Sequence, residues 1–194
     1  MVYPVPLAVL LCNHPINKPQ STCAFSAEGD HPMHEQIGNS PFGLISVTSN
    51  GNAVTGIRFL QDGETDASKA DNVSRETWQQ IEQWCAGERQ EFDLPLAPPV
   101  SASLHEWLTV LGRIPYGHTV TYKEFALRAG KPEAPRAAGT ACARNPIPLI
   151  IPCHRITKHD GSLGNFGGIQ GLDPKHPRNL ALKQALIDHE HYHH

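Results

Sequence analysis

Between residues 145 and 156 the chain reads Asn-Pro-Ile-Pro-Leu-Ile-Ile-Pro-Cys-His-Arg-Ile. Prolines at 146, 148 and 152 fix their own φ and push their predecessors toward extended backbone, so this run is a stiff track rather than a helix. It delivers the thiol of Cys153, the imidazole of His154 and the guanidinium of Arg155 in immediate succession. That order suggests a positioned thiolate, because the thiolate is the nucleophile and a neighbouring positive charge favours it. A buried structural cysteine fits the same residues, and the chemistry of the run alone leaves both readings open.

The rest of the chain predicts an α/β (α+β) protein. Residues 1–37 mix prolines, histidines and cysteines without periodicity and read as an irregular extension. Cys12, His14, Cys23 and His31 are spaced too irregularly for a compact zinc pattern, so no metal is expected there. Residues 38–96 read as a small sheet-plus-helix scaffold. Phe42 to Ser49 and Val54 to Phe59 alternate on either side of Asn50-Gly51, a hairpin signal, while Trp78, Ile81 and Trp84 make a helical stripe that stops at Gly87. A proline-rich bridge through Pro95, Pro98 and Pro99 then marks the boundary of a mostly helical domain, residues 97–194.

That second domain opens with a core stripe, Leu104, Trp107, Leu108 and Leu111. Thr121 and Glu124 form a capping box, flanked by Val120 and Phe125 as a hydrophobic staple. Gly130 ends this helix, and Lys131-Pro132-Glu133 turns into a second one, about Ala134 to Arg144, built of small residues with Arg136 and Arg144 its only charges. Two short helices and a tight turn predict a helix-turn-helix, although an ordinary helical hairpin has the same outline. Glycines from Gly161 to Gly171 surround Asn165 and Phe166 as loop-like backbone. A last helix begins at Pro177 with Leu182, Ala185, Leu186 and His189 on one stripe, and the closing run His189 to His194 reads as a solvated terminus rather than a metal tail.

The Asn-Pro and Ile-Pro-Cys-His-Arg-Ile elements resemble the active-site motif of the O6-alkylguanine-DNA alkyltransferases. Ile114-Pro115-Tyr116-Gly117, Thr121-Tyr122 and Arg136-Ala137-Ala138-Gly139 extend the resemblance upstream, and it covers most of residues 40–194. It implies irreversible, single-turnover transfer of an alkyl group from O6-alkylguanine, and from O4-alkylthymine, to Cys153. His154 would act as base through a water, Glu190 would orient the imidazole, and Tyr122 would donate a hydrogen bond to the guanine. Arg136 would fill the stack left by a flipped nucleotide, with Ala134, Ala137, Gly139, Tyr122 and Arg144 as further DNA contacts in the minor groove. Asn145 would hold the proline run, and Ile156, Phe166, Gly167 and Arg155 would line the substrate pocket.

The sequence also departs from the family. Ser103-Leu104 stands where a Phe-Gln pair is usual, Gly167 where a hydroxyl is common, and Asp173 to Arg178 resembles an insertion. Some family members carry zinc in the N-terminal domain, but nothing here matches its spacing. Two other classes keep a place beside this reading. One is a protein of the same fold that flags alkylated DNA but carries Trp in place of the cysteine; the other is a Cys-His hydrolase.

Charge fits a DNA partner only once the chain is divided. Residues 1–100 hold 5 Lys and Arg against 12 Asp and Glu, while residues 101–194 hold 11 against 7. The C-terminal half is therefore the expected nucleic-acid surface, with moderate, salt-sensitive affinity for double-stranded DNA. No P-loop or dinucleotide fingerprint occurs, so no cofactor is expected. The apolar start, Val5 to Leu11, is short and lacks a basic leader, which argues against secretion, and no apolar run is long enough for a membrane span. Five cysteines without regular spacing fit a reducing compartment, cytoplasm or nucleus, and a monomer is expected.

Overall fold

Alternating residues and one Asn-Gly turn produce the hairpin of β2 (Gly43–Ser49) and β3 (Val54–Phe59), and β1 (His34–Ser40) completes an antiparallel meander paired in the order β1-β2-β3. The structure, a computed structural model, describes residues 33–61 and 69–193. Cys12, His14, Cys23 and His31 lie outside the described residues. Strand β1 corrects the reading of residues 1–37 as wholly irregular, since the strand begins at His34. Its sequence, His-Glu-Gln-Ile-Gly-Asn-Ser, has one large apolar residue and no alternation, so backbone pairing with β2 carries it rather than a buried face. At Gly38 a Cβ would come within 2.1 Å of the Trp78 ring, so only glycine lets that indole lie against the strand.

Helix α1 (Asn72–Cys85) crosses the sheet. Asp71 caps it and Ser74 returns the bond to the Asp71 N–H, a complete capping box that starts the helix ahead of its apolar stripe. Ile81 and Trp84 are fully buried, each worth roughly 2 to 3 kcal/mol of transfer free energy.

The outer edge of β3 holds the site in place. Its Ile57 N–H donates to the Pro146 carbonyl at 2.9 Å and its Phe59 N–H to the Gly168 carbonyl at 3.1 Å, while the Gln170 N–H donates back to Phe59 at 2.9 Å. A sheet edge that would otherwise be an open template is thereby closed by the proline run and the glycine segment. The proline-rich bridge is no free linker either, because Val54 bonds to Pro95 and Ala97 at 2.8 and 2.9 Å.

The helical part comprises α2 (Ala102–Leu111), α3 (Tyr122–Arg128), α4 (Pro135–Ala143) and α5 (Pro177–Tyr192), with a two-strand parallel pair, β4 (Val120–Thr121) and β5 (Ile156–Thr157). Leu104, Trp107, Leu108 and Leu111 are buried along α2. Thr121 caps α3 through the Glu124 N–H, but the Glu124 carboxylate bonds Arg128 one turn on instead of closing the capping box. On α5 the inward face is broader than the apolar stripe: Asn179, Leu182, Lys183, Leu186, Ile187 and Glu190 are buried, whereas Ala185 is exposed. The terminus is also less solvated than its composition suggests. His189 packs on Trp84 at 4.4 Å between ring centroids, and its Nε2–H donates to the Trp84 carbonyl at 2.9 Å.

Candidate active site and nucleic-acid interface

The proline run is stiff, but it is not extended. Leu149 has φ +76, a left-handed conformation rare for a branched side chain, and the Ile151 N–H closes a turn onto the Ile147 carbonyl at 2.9 Å. Asn145 clamps both ends of this turn, accepting from the Ile147 N–H at 3.1 Å and donating to the Ile151 carbonyl at 2.7 Å. The backbone strain is held by the burial of Ile147, Leu149 and Ile151 around it. A short 3-10 turn, Cys153–Arg155, follows directly.

Cys153 is only 4% exposed. Burial pushes its thiol up, opposed by a hydrogen bond from Asn145, the Lys183 charge, and the N–H groups of Cys153 and His154. The resting group is therefore a thiol. The adjacent Arg155 charge expected to favour the thiolate is used elsewhere, and the cation acting on the sulfur is Lys183, from α5. Burial lowers the Lys183 ammonium to about 8. It donates to the carbonyls of Ile156 at 2.5 Å and Gly164 at 3.4 Å, and lies 6.0 Å from the centre of the Tyr122 ring.

Tyr122, the first residue of α3, is half-buried, and burial raises its phenol, with Cys142 and Cys153 adding to the rise. A Cβ at Gly164 would stand 2.1 Å from its hydroxyl oxygen, so this glycine makes room for the phenol. At Gly139 of α4 a Cβ would stand 3.7 Å from the opposite edge of the ring. Tyr122 thus bridges the second helix of the helix-turn-helix to the thiol's surroundings.

His154 is fully buried. Its Nε2 lies 2.8 Å from Glu190 Oε1, while Nδ1 is buried with no partner. Burial lowers its proton affinity, against the pull of Glu190, so the ring is neutral near pH 7. Burial also works against the Glu190 charge, but the hydrogen bonds from His154 and Arg155, with the Arg155 charge, outweigh it and hold the carboxyl down at about 2.

Arg155, expected at the substrate pocket, is turned to Glu190. It grips both oxygens of Glu190, at 2.9 Å from Nε and 2.8 Å from Nη2, and bonds the Ile114 carbonyl. Ile156 is committed as well, its N–H to Cys153 and its carbonyl to Lys183. Phe166 is buried, with its N–H on the Pro174 carbonyl, and Gly167 is exposed.

On α4, Arg136, Ala137, Thr140, Ala143 and Arg144 are exposed, whereas Ala138, Ala141 and Cys142 face inward. Small residues flanked by two arginines therefore form the outer face, and it is open enough for a second backbone to approach. Ala134 is half-buried as the N-cap, and Gly139 is half-buried beside Tyr122.

Sequence reasoning missed Lys183 and Asn179, and read Gly164 as loop backbone without its place against Tyr122. The Asn179 amide accepts from the Ile169 N–H at 2.9 Å and donates to the Asp173 carbonyl at 2.9 Å, tying the glycine segment to α5. A signal for Lys183 was present, since a lysine beside Leu182 and one turn before Leu186 interrupts the stripe, seven residues ahead of Glu190.

A helix-turn-helix with a small-residue outer face, set against a buried thiol with a neighbouring His-Glu pair, defines a DNA-binding protein that carries a nucleophile. The family model described as "6-O-methylguanine DNA methyltransferase, DNA binding domain" matches residues 104–192. The methylated-DNA–protein-cysteine methyltransferase of Methanosarcina barkeri is 39% identical over 148 residues, covering 74% of this chain and 92% of that protein. Its counterpart in Haemophilus influenzae is 37% identical over 142 residues, covering 70% and 78%. Among solved structures, Mycobacterium tuberculosis OGT in complex with DNA superposes with a TM-score of 0.69 at 30% identity, over 82% of this chain and 94% of that one. The chain belongs to the methylated-DNA–protein-cysteine methyltransferase family.

Proposed function

We propose that Cys153 accepts the alkyl group of O6-alkylguanine, and of O4-alkylthymine, from double-stranded DNA, once per molecule and irreversibly. As a member of its family the chain is a methyltransferase of DNA repair, and DNA is its partner. The observation that carries the assignment to Cys153 is the buried thiol, bonded by Asn145 and acted on by the Lys183 ammonium, with the free nitrogen of a Glu190-bound imidazole on the next residue. The S–C bond forms as the C–O6 bond breaks. The thiol proton passes through a water to His154 Nδ1, the guanine leaves as an anion stabilised by a hydrogen bond from Tyr122, and the imidazolium returns its proton through solvent to neutralise it. The thioether is stable, so the protein is consumed.

The outer face of α4 lies in the minor groove, and Arg136 replaces the nucleotide turned out of the stack. Residues 38–96 serve as scaffold, and residues 97–194 bind DNA and perform the transfer. The protein acts as a monomer in a reducing, DNA-containing compartment, cytoplasm or nucleus. Among the described residues no helix is long and apolar enough to cross a membrane.

Intact-mass measurement after incubation with O6-methylguanine duplex tests the reading. One added methyl per chain, mapped to the Cys153 peptide, is expected. An unchanged mass with the DNA demethylated would indicate a hydrolase, and an unchanged mass with the DNA bound but still methylated would indicate a damage-flagging protein.

Lys183 gives a second expected result. Lys183→Met is expected to slow single-turnover transfer on the order of a hundredfold. Its ammonium is charged below about 8 and neutral above, so its support for the thiolate fades as pH rises through that value. The parent rate is expected to stop rising with pH there, and the variant is expected to lack that break. A rate-pH profile of each checks both statements, and a variant with the parent's break would assign it to another group.

A further inference from the structure

Glu190 is shared, and the sharing is unequal. Its oxygens accept from Arg155 Nε at 2.9 and 3.2 Å, from Arg155 Nη2 at 2.8 Å, from the Gly117 N–H at 3.2 Å and from His154 Nε2 at 2.8 Å. A carboxylate has about four lone-pair sites, so the guanidinium and the Gly117 amide take most of them and His154 takes one, at 2.8 Å. Arg155 is itself fixed from two further sides. Nη1 donates to the Ile114 carbonyl, and the Tyr116 ring lies 5.7 Å from the guanidinium carbon. All of this is buried: Glu190 is 2% exposed, Arg155 7% and Tyr116 6%.

We propose that Arg155 is a positioning residue of the transfer reaction, occupying Glu190 so fully that His154 stays an uncharged base with Nδ1 free for the thiol proton. The inference rests on the base assigned to His154 under the proposed function. Its physical logic is charge balance in a dry site. Arg155 and Glu190 together are neutral, so His154 meets a paired carboxylate instead of a bare one. Protonating the ring would add a cation near Arg155 and Lys183, with no counter-charge left over. Without Arg155, a buried carboxylate would have His154 as its nearest available counter-ion and would draw a proton onto it. An imidazole already protonated cannot accept the proton of Cys153.

The charged groups acting on His154 are Glu190 and Lys183 from α5 and Arg155 from its own turn, where Cys153 is the neighbouring titratable residue. The Ile114–Gly117 segment packed beside them contributes a carbonyl, an N–H and the Tyr116 phenol, itself kept protonated by burial and the Glu190 charge. Burial is the largest cause lowering the proton affinity of His154; Glu190 opposes it, and the Arg155 and Lys183 charges add to the lowering.

The test is ring titration of His154 by NMR, beside single-turnover methyl transfer across pH, in the parent, Arg155→Met and Arg155→Lys. His154→Gln assigns the ring signal. The His154 midpoint is expected to rise by about one pH unit in Arg155→Met, and the acid limb of the rate profile to rise with it. Arg155→Lys, which restores the charge with fewer bonds, is expected to recover most of the shift. An unmoved or lowered midpoint in folded Arg155→Met would overturn the inference alone. A midpoint that rises while the rate profile stays put would overturn the base assignment of His154, and with it the part of Arg155 in transfer. Should Arg155→Met fail to fold, Tyr116→Leu carries the test. It leaves Arg155, Glu190, His154 and Lys183 in place but frees the guanidinium. A smaller rise in the His154 midpoint is then expected, and no rise would overturn the inference.

Discussion

Cys153→Ala is expected to abolish alkyl transfer while leaving DNA binding close to that of the parent chain. The two parts separate because the sulfur is buried at 4% exposure, whereas Arg136 and Arg144 stand on the exposed face of α4. Removing one sulfur leaves a small cavity, at a cost of about 1 kcal/mol, and keeps the Asn145 bonds that hold the preceding turn. Transfer of label from methylated duplex to protein, with DNA affinity measured in parallel, checks both parts. Any methyl still taken up would redirect attention to Cys142, which sits inward on α4 within electrostatic reach of Cys153 and Lys183. Burial raises the thiols of both Cys142 and Cys85, but Cys142 has the Lys183 charge opposing the rise, whereas on α1 the Glu82 charge adds to it at Cys85, the poorer candidate. A variant that loses DNA binding along with transfer would mean that the sulfur supports the shape of the α4 face.

The hairpin of β2 and β3 and the stripes of α1 and α2 were legible because each carries its own apolar periodicity. Strand β1 was not, since an edge with one large apolar residue is defined by its partner's backbone rather than by its own pattern. The proline run showed its stiffness but not its path. Proline restricts φ locally, yet the reversal depends on Leu149 at positive φ and on the Asn145 clamp. Cys153 and His154 could be found by adjacency, but adjacency misdirected the charges. Arg155 follows the thiol in sequence and serves Glu190, whereas Lys183, thirty residues away, supplies the cation that acts on the sulfur. Long-range electrostatics of this kind leaves only a faint mark in sequence, a charged residue on an otherwise apolar helical face. Ala185 exposed and Lys183 buried show the same limit, because α5 presents a broad polar and apolar face to the site instead of a narrow stripe.

Arg136→Ala is expected to slow repair in duplex DNA by roughly thirtyfold and to leave reaction with the free alkylated base nearly unchanged. Turning a nucleotide out of the stack costs a few kcal/mol, and losing about 2 kcal/mol of the compensation corresponds to that factor. Arg136 is suited to the part. It is exposed in the first turn of α4, among residues too small to fill a gap themselves, and it precedes Cys153 by seventeen positions, the spacing of the family it resembles. The free base needs no extrusion, so its rate reports only on the thiol, His154 and Tyr122. Lost attraction to phosphate would behave differently, because added protein or lower salt would restore the duplex rate. The measurement is single-turnover transfer at saturating duplex, beside transfer from free O6-methylguanine. Equal slowing on both substrates would place Arg136 in support of the active site and remove it from extrusion. A loss on duplex that survives saturation and spares the free base is what a side chain standing in for the flipped nucleotide predicts.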